Sequence, residues 1–297
     1  YHFVEWNGDN STIANTKDNS TTIEMLDNYT ITAEFGINTY TLKISSTDGG
    51  SVISPGEGPY YYEHGESIDL QAVPDSGYHF IEWTGDNSTI ANTVDNDTAI
   101  EMLGDYTINV EFEINTYTLE ISSTKGGNVV KPGEGLYHYE HGSVIDLEAV
   151  AEEGHHFIRW TGDNGTVEDT NNNRTSIEIL DDYTITARFN ITTYKLDISS
   201  KEGGSVTLPG EGLYQYDHGT TVELKATADN GYHFVKWAGD NSSITDTKKN
   251  STTIEMLGNY TITAVFEVNT YTLTISTTSD GNVVSPGEGS YEYEHGT

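Results

Sequence analysis

The chain has 297 residues, 47 acidic against 13 basic, for a formal net charge of −34, and it contains no cysteine. Charge of that sign excludes nucleic acid and anionic membrane surfaces as partners, because both require a basic footprint. It keeps a long chain soluble and draws divalent cations. Without cysteine there is no disulfide framework, and no apolar run approaches the ~18 residues that a membrane span needs.

Read from the first residue, the chain repeats itself. Trp6, Trp83, Trp160 and Trp237 are each 77 residues apart, as are Pro55, Pro132, Pro209 and Pro286, and no insertion or deletion breaks the register. Self-similarity at a fixed period is the signature of a repeat array. The phrase NTYTLKISS near Asn38 returns near Asn115, Thr192 and Asn269 and reads as the first strand of each module. Residues 1–37 are then the back part of a module, 38–114, 115–191 and 192–268 are complete modules, and 269–297 is the front part of another. Laid head to tail, the two fragments make a module lacking the equivalent of Ser67 to Gly77. A window on a longer array is the expected explanation. Completion of broken modules by successive chains is the lesser one, since a subunit built for exchange should not lack a core strand.

Within a module the apolar pattern has period two, and no stretch has helical periodicity. In 115–191, Tyr117, Leu119 and Ile121 alternate with Thr118, Glu120 and Ser122, as in a strand with one buried face. Gly126-Gly127 ends it, Val129-Val130 leads on, and Pro132-Gly133-Glu134-Gly135 reads as a tight turn. Tyr137 to Gly142 is an aromatic strand closed by glycine, and Val144 to Val150 is another strand. His156 to Trp160 has apolar residues on both parities, which predicts a central or bulged strand. A polar loop runs from Gly162 to about Arg174. A hairpin is expected to close the module, from Ile177 and Ile179 to Tyr183, Ile185, Ala187 and Phe189, turning on Asp181-Asp182. The counterpart turns are Asp27-Asn28, Gly104-Asp105 and Gly258-Asn259. Only four residues separate Phe112 from Tyr117, so a stiff junction is expected rather than loose beads. The predicted fold is all-β: a tandem array of small β-grasp-like or antiparallel β-sandwich modules with no significant helix.

The run G-Y-H-F-I-E-W-T-G-D (77–86), the segment I-E-M-L-G-D-Y-T-I-N-V-E-F (100–112) and the stretch G-G-S-V-I-S-P-G-E-G-P-Y (49–60) resemble the divergent internalin-type B-repeat family. The resemblance covers essentially the whole chain. It implies a β-grasp-like module repeated in exported microbial surface proteins, used as spacer, stalk or adhesive shaft, with no catalytic residues to carry over.

The sharpest local signal is Asn-x-Ser/Thr. It recurs at Asn10, Asn87, Asn164 and Asn241, and again at Asn19, Asn96, Asn173 and Asn250, with further matches at Asn28, Asn190 and Asn259. The middle residue varies while the asparagine and hydroxyl stay, which points to N-glycosylation of an exported protein, from an archaeon or a eukaryote more readily than from a typical bacterium. Frequent chance triplets in a Ser-, Thr- and Asn-rich chain are the competing explanation. Asp9, Asp86, Asp163 and Asp240 lie in the same loops. They are expected to make Asx turns, with calcium as the lesser alternative because the spacing of a dedicated calcium loop is absent.

Two histidines recur per module, His2, His79, His156 and His233 and then His64, His141, His218 and His295, without the spacing of a transition-metal site. Hydrogen bonds at turns or between modules are their expected use. Tyr60 and Tyr62, Tyr137 and Tyr139, Tyr214 and Tyr216, and Tyr291 and Tyr293 stand at i, i+2 on one strand face. They are expected to cover a core or module junction, with lateral contact between chains and sugar stacking as alternatives. The acid before each of His64, His141, His218 and His295 points to the opposite strand face, so no dyad is expected and the chain reads as no enzyme.

The function expected is a structural repeat segment of an extracellular cell-surface filament, sheath or stalk. Its partners would be copies of itself or other surface-layer components. The alternative is a multivalent adhesin that binds polysaccharide through its tyrosine faces.

Overall fold

The computed structural model describes all residues from Tyr1 to Thr297, and every regular element in it is a β-strand. No helix is long and apolar enough to cross a membrane. The chain divides into two compact units. One comprises Tyr1–Leu119, Leu136–Ile145 and Glu178–Tyr183; the other comprises Glu120–Gly135, Asp146–Ile177 and Thr184–Thr297. The first contains the whole of 38–114 and the second the whole of 192–268.

In 38–114 the strands are β1 (Thr39–Ser46), β2 (Gly50–Ser54), β3 (Gly58–Glu63), β4 (Ser67–Pro74), β5 (Tyr78–Gly85), β6 (Asp97–Glu101) and β7 (Tyr106–Ile114). They form a four-stranded sheet in the order β3-β1-β7-β5 and a three-stranded sheet in the order β2-β4-β6. Alternation sends one parity of each strand inward. Leu42, Ile44, Val52, Leu70, Ala72, Trp83, Ile100, Ile108, Val110 and Phe112 make one buried cluster from both sheets, which defines a sandwich. Trp83 is fully buried, and its indole N–H donates to the Asp95 carbonyl at 3.0 Å, so the polar loop after β5 wraps its ring. Residues 192–268 repeat this order and this core, with Trp237 at the centre.

Two expectations change. The closing hairpin does not form. β6 pairs with β4 in the smaller sheet, whereas β7 pairs with β5 and, in parallel, with β1. The sandwich is therefore mixed rather than antiparallel. The cause is visible at the turn. Met102 stays bonded to the start of β4, its N–H donating to the Glu66 carbonyl at 2.9 Å and its carbonyl accepting from Gly65 at 2.8 Å. Asp105 then accepts the Thr41 N–H of β1 at 2.7 Å. Neither Gly104 nor Asp105 adopts the positive φ that a two-residue hairpin turn requires. The segment expected to be central or bulged is bulged, between Phe157 and Arg159, as is β5 between Phe80 and Glu82. It lies at a sheet edge in each whole module.

Candidate functional site

The copies meet at short joints: one residue separates the last strand of a module from the first strand of the next after 38–114, 115–191 and 192–268, and two, Ile37 and Asn38, do so after 1–37. At the joint after 38–114 that residue is Asn115. Its N–H donates to the Gly77 carbonyl of the preceding module at 2.8 Å, and its carbonyl accepts the His141 N–H of the following module at 2.8 Å. Its side-chain oxygen meets Nδ1 of His79 at 2.8 Å. The His141 ring lies 5.9 Å from Tyr117 and directly on Gly77, where a Cβ would come within 2.0 Å of ring carbon Cδ2. Gly77 also has φ +84°, a conformation that favours glycine. Glycine is thus required twice over, by backbone and by contact.

The arrangement recurs. Thr192 takes the place of Asn115 between Gly154 and His218, with bonds of 2.7 and 2.8 Å, and Asn269 does so between Gly231 and His295, again at 2.7 and 2.8 Å. Cβ atoms on Gly154 and Gly231 would lie 2.2 and 2.1 Å from the histidine rings. Both histidine series take part: His141, His218 and His295 by the ring seat, His64 by its N–H to the Asn38 carbonyl, and the other series by the side-chain bond to the joint residue. The latter includes His2 to Asn38 at 3.2 Å, His156 to Thr192 at 3.3 Å and His233 to Asn269 at 2.9 Å. Each joint is a bonded β-strand step, not a free linker.

In 38–114 and 192–268 the tyrosine pairs pack, half-buried, against the core. Tyr60 and Tyr62 stack at 6.2 Å against the core of 38–114, and the Tyr60 hydroxyl donates to the Pro55 carbonyl at 3.1 Å. Tyr214 and Tyr216 do the same in 192–268. Tyr137 and Tyr139 stack at 6.1 Å, and Tyr291 lies 6.4 Å from Tyr293. Burial, and then the neighbouring phenol, push the hydroxyls of Tyr62, Tyr139 and Tyr216 above the usual tyrosine value of 10.0. In the two whole modules these rings cover their own module's core.

The sequon residues are placed by hydrogen bonds of the fold. Nδ2 of Asn10, Asn87, Asn164 and Asn241 donates to the carbonyl of Trp6, Trp83, Trp160 and Trp237 at 2.9–3.1 Å. In the second series, Asn96, Asn173 and Asn250 donate to the Ala72, Ala149 and Ala226 carbonyls at 2.9–3.2 Å. The hydroxyl two residues on also has a role: Thr21, Thr98, Thr175 and Thr252 accept a loop N–H at 3.0–3.1 Å. In this second series, retention of asparagine and hydroxyl around a drifting middle residue therefore has a structural cause; in the first, Thr12, Thr89 and Thr166 keep a buried hydroxyl that has no hydrogen-bond partner. Asn19, Asn28, Asn190 and Asn259 are exposed. The side chains of Asn190 and Asn259 accept backbone N–H groups through oxygen, which leaves their nitrogens outward.

The loop aspartates are likewise engaged. Asp9, Asp86, Asp163 and Asp240 accept an N–H from the facing strand at 2.9–3.0 Å, and no group of three or more acids or histidines converges as metal ligands would. Asp182 accepts both the N–H and the hydroxyl of Thr118, which hold its carboxyl below the usual value of 3.8.

Residues 1–39, 40–116, 117–193 and 194–270 match the divergent InlB B-repeat domain. The chain belongs to that family. Two proteins of Evansella cellulosilytica are similar to it. One is described as a membrane protein, 31% identical over 215 residues, covering 71% of this chain and 30% of the relative. The other is described as a Gly-rich membrane protein, 25% identical over 285 residues, covering 95% and 31%. The chain thus spans under a third of each relative's length. Among solved structures, the Bacillus anthracis TIE protein aligns with 82% of this chain and 54% of its own at 10% identity, with a TM-score of 0.36, too low to bear on the fold.

The glycine–histidine seat escaped the sequence. Gly77 and His141 stand 64 residues apart, and each reads as a local turn residue. The signal was available in their joint recurrence at 154 and 218, and at 231 and 295.

Proposed function

We propose that this B-repeat segment is structural: a run of scaffold modules in an extracellular protein held at the cell surface. The observation that carries the reading is the bonded joint at Asn115, repeated at Thr192 and Asn269, which leaves no free linker between copies. The description of two relatives as membrane proteins supports a surface setting for the longer protein. Neighbouring chains in a filament, sheath or stalk are its natural partners, since a strongly acidic array of like modules has no other built-in ligand chemistry.

The adhesin alternative is less favoured, because the tyrosine pairs of 38–114 and 192–268 are half-buried and pack against their own core. N-glycosylation belongs to this proposal at Asn19, Asn28, Asn190 and Asn259, which are exposed and keep their side-chain nitrogens free of the fold, whereas Asn96 and Asn250, also exposed, donate theirs to Ala72 and Ala226. In the Trp-bonded series the asparagine nitrogen is already engaged by the fold. Antibody raised against the chain should label intact cells of the source organism, and proteases added outside should remove that label. Label that appears only after lysis would overturn the surface reading. Peptide mass mapping of native protein checks the glycans: hexose-type additions on the Trp-bonded asparagines would contradict their assignment.

A further inference from the structure

The outer face of the larger sheet carries a charge code that differs from copy to copy. At the bulge of 38–114, Glu82 on β5 is the direct cross-strand partner of Glu111 on β7, and Glu113 follows on the same face. At the equivalent place in 115–191 the partners are Arg159 and Arg188, followed by Asn190. Like charges directly opposite on paired strands repel, so each arrangement is unfavourable within its own module. Both arginines are exposed. Neither forms an ion pair, although acidic residues outnumber basic ones 47 to 13; the ion pairs present are Lys131 and Arg174 with Glu148, and Lys249 with Asp246. The chain has three arginines in all, and all lie in this one module.

We propose that the Arg159–Arg188 face of one copy docks on the Glu82–Glu111 face of a second copy of this chain. The two patches occupy the same position on the same fold, so they present matching spacing with opposite sign. Guanidinium groups bind carboxylates in a two-pronged fashion that fixes register as well as attraction. Contact turns two repulsive pairs into four attractive charges. The third candidate, Glu5 opposite Glu34, fits less well, because Glu34 already accepts the Asn7 side-chain amide. In the last module the place holds Lys236 opposite Val265, which offers one charge only. The acidic background repels at long range. At about 0.15 M salt that field is screened beyond about 8 Å, whereas a direct contact survives.

The proposal rests on the scaffold reading and names the face it would use for assembly. Sedimentation velocity of the whole chain at about 1 mM and about 0.15 M salt, where even weak contacts register, should show species above the 32.7 kDa monomer. R159E/R188E should reduce association at least tenfold. That variant will fold, since glutamate stands at both equivalent positions of 38–114. E82R/E111R alone, four units less acidic than wild type, should also associate at least tenfold less, the opposite of what lowered net charge would do, and mixing it with R159E/R188E should give hetero-association at the wild-type level. A monomeric wild type, or failure of the mixed pair to associate, overturns the docking face while leaving the surface reading to its own labelling test. A wild type that stays monomeric but binds inorganic phosphate through Arg159 and Arg188 also overturns it, and reassigns the arginines to a small anion.

Discussion

Replacing Gly77 by alanine tests the joint most sharply. The substitution has two costs that the structure separates. The first is conformational: φ at Gly77 is +84°, and a left-handed residue with a side chain costs about 1–2 kcal/mol. The second is steric: the new Cβ would lie 2.0 Å from Cδ2 and 2.5 Å from Cγ of His141, so the ring must leave its seat. Overpacking of this kind costs about 1–3 kcal/mol. Gly142 supplies the control, with φ +78° and nothing within 4 Å of a built Cβ. Gly142→Ala should therefore show the first cost alone. Amide hydrogen exchange at Asn115 and His141 reads local opening of the joint without requiring the array to unfold as a unit. Gly77→Ala should speed exchange there at least about tenfold more than Gly142→Ala, since each 1.4 kcal/mol is tenfold. Exchange at Ile108 and Val110 in the core should change little. Adding His141→Ala should recover the steric part. Equal effects from the two glycines would refute the reasoning.

Other outcomes follow from the same geometry. Asn87→Ala leaves the Trp83 carbonyl without its 2.9 Å donor and should cost about 1–3 kcal/mol in denaturant unfolding, whereas Asn28→Ala, at an exposed turn, should stay within about 0.5 kcal/mol. The hydroxyls of Tyr62, Tyr139 and Tyr216 are raised above 10.0 in the folded chain, so their contribution is complete below that value and is lost as pH climbs through the folded one. Absorbance titration should show them ionising after the exposed tyrosines, with stability falling in the same alkaline range. The Asp182 carboxyl is lowered, so its contribution is present above 3.8 and is lost as pH falls through the folded value; side-chain NMR should place its titration below 3.8. Asp182→Asn should keep the fold, because Asn259 already accepts the Lys195 N–H at 2.8 Å from the same position.

Much of the fold was legible because burial on a strand alternates residue by residue. Tyr117, Leu119 and Ile121 could be read as one inward face without any tertiary knowledge, and the mixed parity around Trp160 announced its bulge. The closing hairpin was misread because Gly104-Asp105 and Asp181-Asp182 have the composition of a tight turn. What decides the path there is a partner 64 residues away, the Thr41 or Thr118 N–H taken by the aspartate. Local composition cannot report that bond. The sequons carry two meanings for a related reason. At Asn96 and Thr98 a modification motif and a pair of structural hydrogen bonds select the same residue types at the same spacing, and local sequence does not report the Ala72 carbonyl that the asparagine meets. The tyrosine pairs were correctly placed on one face, but which way that face looks is set by the packing of two sheets.

The central claim is that copies are joined by ordered backbone. Nitrogen-15 relaxation of the joint amides Asn115, Thr192 and Asn269 tests it most directly. The account predicts order parameters near the ~0.85 of rigid backbone, level with the flanking strands, whereas values below ~0.6 would mark a flexible tether and contradict it.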